Sequence, residues 1–359
     1  MTALADHDIL TFRDELSRRG HNPRNAARLL RAFYESGGAP DFESRLVPRV
    51  SRALRNELTS DETMRSRIAA RHVSSDGTVK LLLSLADGAT VETVLMPSHR
   101  PDRSAGCVSS QVGCAMGCDF CASTKSGVAR DLGAGEIVEQ FLHLRAESLA
   151  QRRRLCSLVF MGMGEPLLNL DAVTAAIRRI ADPTLGALGW RHVTVSTVGI
   201  VPGIERLMNE NLGVHLALSL HAPDDETRRR LVPAARKWTV AEILDAARRY
   251  QECTGRVGTI EYCLLAGVND SDGQAIALAE LVRGWRVHVN LIPYNSIGAG
   301  LSGAVYRRPD DARVARFATL LHDGGAVVHV RRQRGDDVNA ACGQLRRQYV
   351  QIGTTDEHG

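Results

Sequence analysis

The stretch CVSSQVGCAMGCDFC (107–121) decides how the rest of the chain is read. Cys114-x3-Cys118-x2-Cys121 supplies three thiols from one short loop, opened by Gly113 and containing Gly117. Three thiolates can hold three irons of a four-iron cubane and leave the fourth open to a ligand, whereas a cluster held by four cysteines has no such vacancy. The alternative is a zinc loop. Structural zinc wants four ligands, commonly two C-x2-C pairs, and no second pair appears.

Outward from this loop the chain alternates strand and helix. Strands are expected at 108–112, 157–161, 192–197, 214–220, 257–265 and 287–293, with a last one at 326–332. Helical patterns fill 134–150, 170–181, 202–210, 240–254, 272–284 and 310–322. Strict alternation implies a parallel sheet with right-handed crossovers, and six units make a partial (βα)6 barrel within the α/β class. Upstream, residues 1–75 read as a small helical accessory domain and 76–103 as a β-hairpin linker with an Asp-Gly turn (TVKLLLSL, TVETVLMP). The core is expected over 104–350, followed by a flexible tail at 351–359. Chemistry in such a fold sits at the C-terminal strand ends. Polar strings recur there: GCAMGCDFC, GMGEPLLN, STVG, SLHAP and YNS.

In GMGEPLLN (162–169) the glycines let backbone approach a ligand, and Glu165 can accept hydrogen bonds from an ammonium. The open iron of a three-cysteine cluster can take the amino and carboxylate groups of S-adenosylmethionine (SAM). One βα unit after a loop with Phe120 before its last cysteine, this string resembles the second signature of radical SAM enzymes.

A closer resemblance follows. CVSSQVGCAMGCDFC (107–121), FMGMGEPLLNL (160–170), STVGIVP (196–202), SLHAPDDETR (219–228), NLIPYN (290–295) and RGDDVNAACGQL (334–345) are similar, in order, to the RlmN/Cfr family. Those enzymes methylate an unreactive carbon of one adenine in 23S ribosomal RNA. The resemblance covers about residues 90–345; the first ninety match poorly, although the family places a small helical RNA-binding domain there.

The resemblance implies a [4Fe-4S] cluster on Cys114, Cys118 and Cys121, and two SAM per turnover. It implies SAM contacts from Gly164, Glu165, Ser196, Ser219, Leu220, His221 and Asn295; His221 also has a plain reading, hydrogen-bonded to backbone. Adenine C2 and C8 are not nucleophilic enough to attack a SAM methyl, so the methyl must first reach a good nucleophile such as a thiolate. By correspondence that thiolate is Cys342. A 5'-deoxyadenosyl radical from the second SAM then removes hydrogen from the methyl on Cys342. Cys107 resolves the adduct through a transient disulfide, and Glu92 is the base that takes the ring proton. Taken alone, Glu92 reads as an ordinary exposed strand residue. Pro166, Val112 and RGDD (334–337) look more like the C2 enzymes, while SIGAGLSGAVYRR after Asn295 departs from their pattern. C2 is favoured, and C8 stays open. So does transfer RNA as a further substrate.

Composition is consistent with this. The net charge is +4, and only three of 45 basic residues are lysine (Lys80, Lys125, Lys237). Arginine is the better phosphate ligand because its planar fork pairs oxygens, but a GC-rich genome explains the same bias. Arg331, Arg332, Arg334, Arg346 and Arg347 flank Cys342 and can meet RNA phosphate or simply form a solvated face. Cys156, Cys253 and Cys263 read as inert core residues. No apolar run is long enough to span a bilayer. The expectation is a cytoplasmic monomer served by an electron donor such as flavodoxin. Two other classes stay open: a radical SAM enzyme on a small molecule or protein, which needs no Cys342, and a non-catalytic RNA-binding protein with structural zinc.

Overall fold

The computed structural model describes residues 3–40, 50–60, 63–185 and 188–331. Three helices come first: α1 (Ile9–Arg18), α2 (Ala26–Glu35) and α3 (Arg52–Ser60). Strands β1 (Arg67–Val73), β2 (Val79–Ser84), β3 (Thr90–Pro97) and β4 (Arg103–Cys107) follow. A small ribbon, β5 (Gln111–Gly113) with β6 (Val128–Asp131), brackets the cysteine loop. The alternating region then runs α4 (Ala134–Ala150), β7 (Arg154–Phe160), α5 (Leu170–Ala181), β8 (Val193–Thr197), α6 (Val201–Asn209) and β9 (His215–Ser219). It ends with α7 (Asp225–Leu231), α8 (Val240–Thr254), β10 (Gly258–Leu264), α9 (Asp272–Val282), β11 (Val287–Pro293), α10 (Asp311–Asp323) and β12 (Val327–Val330).

Ten strands form one sheet in the order β1-β2-β3-β4-β7-β8-β9-β10-β11-β12. Pairing is antiparallel from β1 to β4 and parallel from β4 to β12. The partial barrel is therefore present, with three corrections. Its first strand is Arg103–Cys107, because residues 108–112 leave the sheet and Gln111–Gly113 turns to pair with Val128–Asp131. Residues 67–73, read as helical, are a strand with weak apolar alternation that pairs through its backbone. The hairpin is not a linker but continues the barrel sheet, through the pairing of β3 with β4.

Register shows how the strands divide their side chains. Partners run Lys80↔Val94, Val94↔Cys107, Cys107↔Val159 and Val159↔Thr194 across five strands. Ser196↔Ala217, Ser219↔Glu261, Glu261↔Asn290 and Asn290↔His329 continue the row. Residues two apart on a strand share a face, so Lys80, Glu92, Cys107, Ser196, Ser219, Glu261 and Asn290 all lie on one side of the sheet. The opposite side carries Leu158, Val193, Val195, Leu216, Leu218, Ile260, Tyr262, Val289 and Leu291. These are buried in one core with Ile177, Leu207, Ile243, Leu278 and Phe317 of the helices. Full burial of each such side chain contributes about 1.5–3 kcal/mol.

The N-terminal helices pack on α4 and α5. The buried carboxylate of Glu139 in α4 accepts from the amides of Arg65 (2.8 Å) and Ser66 (2.7 Å), and Arg179 of α5 donates to the Ala5 carbonyl at 2.9 Å.

Candidate active site

A cavity of about 210 Å³ opens at the C-terminal ends of β7 to β10. Cys114, Cys118 and Cys121 line one side, with Phe120; Gly162, Gly164, Glu165, Ser196, Ser219, His221 and Glu261 are among those lining the rest. Four of the five strings read in the sequence, all but YNS, thus converge on one space.

The cysteine loop is tied down by its own backbone. Cys114 N–H donates to the Gly127 carbonyl (2.9 Å), and Thr124 Oγ1 donates to the Cys118 (3.0 Å) and Cys121 (2.9 Å) carbonyls. Gly113 sits at φ 90°, where a Cβ would fall 1.9 Å from the Gly127 oxygen. Burial pushes the Cys114 thiol up to about 12 and raises Cys118 as well. Buried thiols such as those of Cys114 and Cys118 become thiolates only against a strong positive charge, which iron provides. Among the described residues no three His, Cys, Asp or Glu side chains gather closely enough to share a single ion. The loop fits a cluster, in which each thiolate has its own iron.

Glu165 is the centre of the second motif. Its Oε1 accepts from Leu167 N–H (3.1 Å) and its Oε2 from Val198 N–H (2.9 Å). Burial raises its pKa to about 7 in spite of those donors. A cationic or amine ligand in the cavity would draw it back towards ionisation. Gly164 has φ 101°, and a Cβ there would lie 2.6 Å from the Gln111 side chain. Gln111 bridges the two motifs: its Oε1 accepts from Glu165 N–H at 2.9 Å and its Nε2 donates to Asp131 at 2.6 Å. Ser109 does the same nearer the hairpin, donating to the Glu92 carbonyl (2.7 Å) and accepting from Met163 N–H (2.9 Å).

The far wall is held by His221 and by two residues the sequence reading passed over, Asn269 and Arg228. His221 adopts φ 63°, a conformation unusual for histidine. Its Nδ1 accepts from Cys263 N–H at 3.0 Å, and its carbonyl accepts from Asn269 Nδ2 at 2.7 Å. Burial, with Arg228 nearby, lowers its pKa to about 3, so the ring is neutral and its Nε2 carries the proton. Asn269 is fully buried and also meets Cys263 O and Leu265 N–H, each at 2.7 Å. Arg228, 1% exposed, donates to the carbonyls of Leu220 (3.1 Å) and Val198 and so clamps the ends of β8 and β9. Burial lowers its pKa to about 10. A buried Asn after a strand and an Arg at the end of SLHAPDDETR were the available signals.

Of the expected SAM contacts, Gly164, Glu165, Ser196, Ser219 and His221 line the cavity. Leu220 is fully buried outside it, with its N–H donated to Glu261 O at 3.0 Å. Asn295 is also outside the lining, but its Oδ1 is buried with no partner among the described residues. Glu261, missed as a site residue, lines the cavity. Its Oε1 takes Asn290 (2.9 Å) and Arg331 (2.8 Å), while its buried Oε2 has no partner among the described residues. Such acceptors suit the amine and hydroxyl donors of SAM, and the residues present fit it.

Glu92 is 1% exposed and ion-paired with Lys80 at 2.8 Å, not an exposed strand residue. Cys107 is buried on the neighbouring strand, its carbonyl accepting from Thr93 Oγ1 at 2.7 Å. Neither lines the 210 Å³ cavity, though both share the sheet face that feeds it. Cys342, with Arg332, Arg334, Arg346 and Arg347, lies outside the described residues. Cys253 is exposed and Cys156 half-buried, so only Cys263 of that trio is a core residue.

The segment after Asn295 is strapped to the cysteine loop. Asp119, between Cys118 and Phe120, accepts from Ser302 N–H (2.7 Å), Ser302 Oγ (2.5 Å) and Tyr306 Oη (2.6 Å). Lys125 Nζ donates to the Ile297 carbonyl at 2.7 Å. Against the effect of burial, Ser302 and Tyr306 hold the Asp119 carboxyl below its usual range.

Residues 108–279 match the Radical SAM superfamily. A protein of Opitutus terrae named probable dual-specificity RNA methyltransferase RlmN 1 is 53% identical over 345 residues, covering 96% of each chain. That span reaches into the first ninety residues, which the sequence reading expected to match poorly. The ribosomal RNA large subunit methyltransferase N of Nitrosopumilus maritimus is 44% identical, over 85% of this chain and 88% of its own. The crystal structure of a radical SAM methyltransferase from Sphaerobacter thermophilus superposes with a TM-score of 0.88 at 40% identity, covering 96% of this chain and 99% of that one. With the cysteine loop, the SAM cavity and these likenesses in agreement, the chain belongs to the RlmN family of radical SAM RNA methyltransferases, which carry a [4Fe-4S] cluster and use SAM.

Proposed function

We propose that this enzyme methylates a ring carbon of an adenine in 23S ribosomal RNA, at C2, by way of a methylated cysteine. Transfer RNA is a second substrate, in keeping with relatives named for dual specificity. The observation that carries the reading is the register. Glu92 and Cys107 occupy the same sheet face as Ser196, Ser219 and Glu261, buried on adjacent strands beside the SAM cavity. A buried thiol is ordinary, whereas a buried carboxylate on that face, even paired with Lys80, is rare.

Cys114, Cys118 and Cys121 would hold the cluster, which when bound would supply the single electron that cleaves SAM and take one back from the radical adduct on the adenine. The chain's own groups do the rest. Cys342 takes the methyl and, after hydrogen loss from it, forms the bond to the adenine. Glu92, held by the Lys80 ammonium at 2.8 Å, accepts the ring proton. The Cys107 thiolate attacks the sulfur of Cys342, the bond from that sulfur to the methylene carbon breaks, and the carbon keeps the electron pair and takes a proton to become the methyl, leaving a disulfide that a reductant must open before the next turnover. Glu165, Ser196, Ser219 and the neutral His221 hold SAM against the cluster. Pro166, within the Glu165 cap, and Val112, in the ribbon, support C2 over C8 by their likeness to the C2 enzymes.

The test is Cys107→Ala. The adduct then forms and does not resolve, so denaturing gels should show protein covalently attached to RNA. RNA migrating free, with methylation intact, contradicts the assignment.

A further inference from the structure

A second large cavity, about 490 Å³, lies at the other end of the strands. Arg103 and Arg154 open β4 and β7 and are partners in register. Arg145 joins them from the last turns of α4, Arg153 from the α4–β7 turn and His192 from the turn before β8. Phe141, Leu149 and Leu155 provide an apolar wall. The α2 side packs close by, with Gly37 against Ala146.

At Arg153 and Arg154 the charge is unbalanced among the described residues. Asp102 approaches Arg103 only at 3.9 Å, with both side chains exposed. Among the described residues no carboxylate reaches ion-pair distance of Arg153 or Arg154. Arg153 Nη1 is buried with no hydrogen-bond partner among them. Arg145 is stacked 5.9 Å from the centre of the Phe141 ring. Burial, and the proximity of Arg154, disfavour its charge although Glu35 opposes them. Adjacent like charges on Arg153 and Arg154 with no carboxylate in reach among the described residues repel, and the buried Arg153 donor without an acceptor is a cost. A phosphate group answers both, since its oxygens take guanidinium donors in pairs.

We propose that this cavity holds a backbone phosphate of the RNA substrate, at the end of the sheet opposite the reacting base. The inference rests on the RNA reading above. A seven-residue strand such as β7 spans about 20 Å, a distance a folded RNA bridges easily.

The test uses full-length holoenzyme and a fluorescein-labelled 23S ribosomal RNA fragment, with anisotropy followed over a range of KCl concentrations. Arg153→Gln/Arg154→Gln should bind about tenfold more weakly and lower the salt slope by about one, for the one phosphate released. Cluster absorbance and SAM affinity should equal wild type. The exposed Arg154→Gln alone should show part of the effect, and Arg154→Lys should regain slope. Arg249→Gln/Arg283→Gln, which removes equal charge from outer helices, should change little. Identical loss in both double variants, or loss in neither, overturns the cavity while RNA binding by wild type keeps the RNA reading. Inorganic phosphate binding lost in the cavity variant with RNA affinity unchanged also overturns it, assigning the cavity to a free anion. No RNA binding by wild type overturns both.

Discussion

Lys80 and Glu92 form an ion pair at 2.8 Å in which neither side chain is more than 1% exposed. Strands β2 and β3 place both on the inner sheet face, one diagonal step apart. Breaking such a pair strands a buried charge and costs about 3–5 kcal/mol, whereas replacing both partners with apolar groups is often near neutral. Lys80→Met should therefore lower the urea midpoint strongly, and Lys80→Met/Glu92→Met should recover most of it. Additive losses would mean that the two groups are held independently.

Glu92→Gln tests the chemistry, with Lys80→Met as the control for stability lost when the buried pair is broken. It keeps the shape while removing the base, so methylation should slow at least tenfold with cluster absorbance and SAM affinity unchanged. An undiminished rate removes Glu92 from the mechanism.

Asp119 is expected to hold the Asn295 loop over the cluster. Asp119→Ala deletes three hydrogen bonds to a carboxylate, each contributing about 1.5–3 kcal/mol. The cluster should bleach faster in air, by several-fold in half-life, and SAM should bind more weakly. Asp119→Asn should fall between. Air stability equal to wild type in both would show the strap to be inessential.

Glu165 predicts a pH dependence. A carboxyl raised to about 7 in the folded protein, from roughly 4.3 unfolded, holds its proton more tightly when folded. Its contribution to the stability of ligand-free protein is largest below the unfolded value and is lost as pH rises through the interval to about 7. SAM binding favours the ionised form, so affinity should weaken below about pH 7 and level off above it. Isothermal titration of anaerobic protein checks this, and Glu165→Gln should flatten the curve. A profile equally steep in that variant would place the titration elsewhere.

Much of the fold and site was legible because their signals are local. Cys114, Cys118 and Cys121 declare themselves by spacing, and the later strands by apolar runs between helical patterns. What escaped depends on partners far along the chain. Glu92 reads as a surface charge because burial of a strand on both faces is invisible without its neighbours, Lys80 among them. Residues 108–112 look like a strand and are extended, yet Ser109 and Gln111 serve as brackets to Met163 and Glu165. Asp119 finds Tyr306 187 positions further along the chain, and Asn269 needs the fold to bring it His221. The arginines of the second cavity come from several elements and match no motif.

The central claim is tested most directly by the product. Anaerobically reconstituted enzyme would be given methyl-labelled SAM, a reductant and protein-free 23S ribosomal RNA, and the RNA digested to nucleosides for mass spectrometry. The account predicts labelled 2-methyladenosine. Labelled 8-methyladenosine would contradict the C2 assignment, and 5'-deoxyadenosine without any methylated adenosine would contradict the RNA substrate itself.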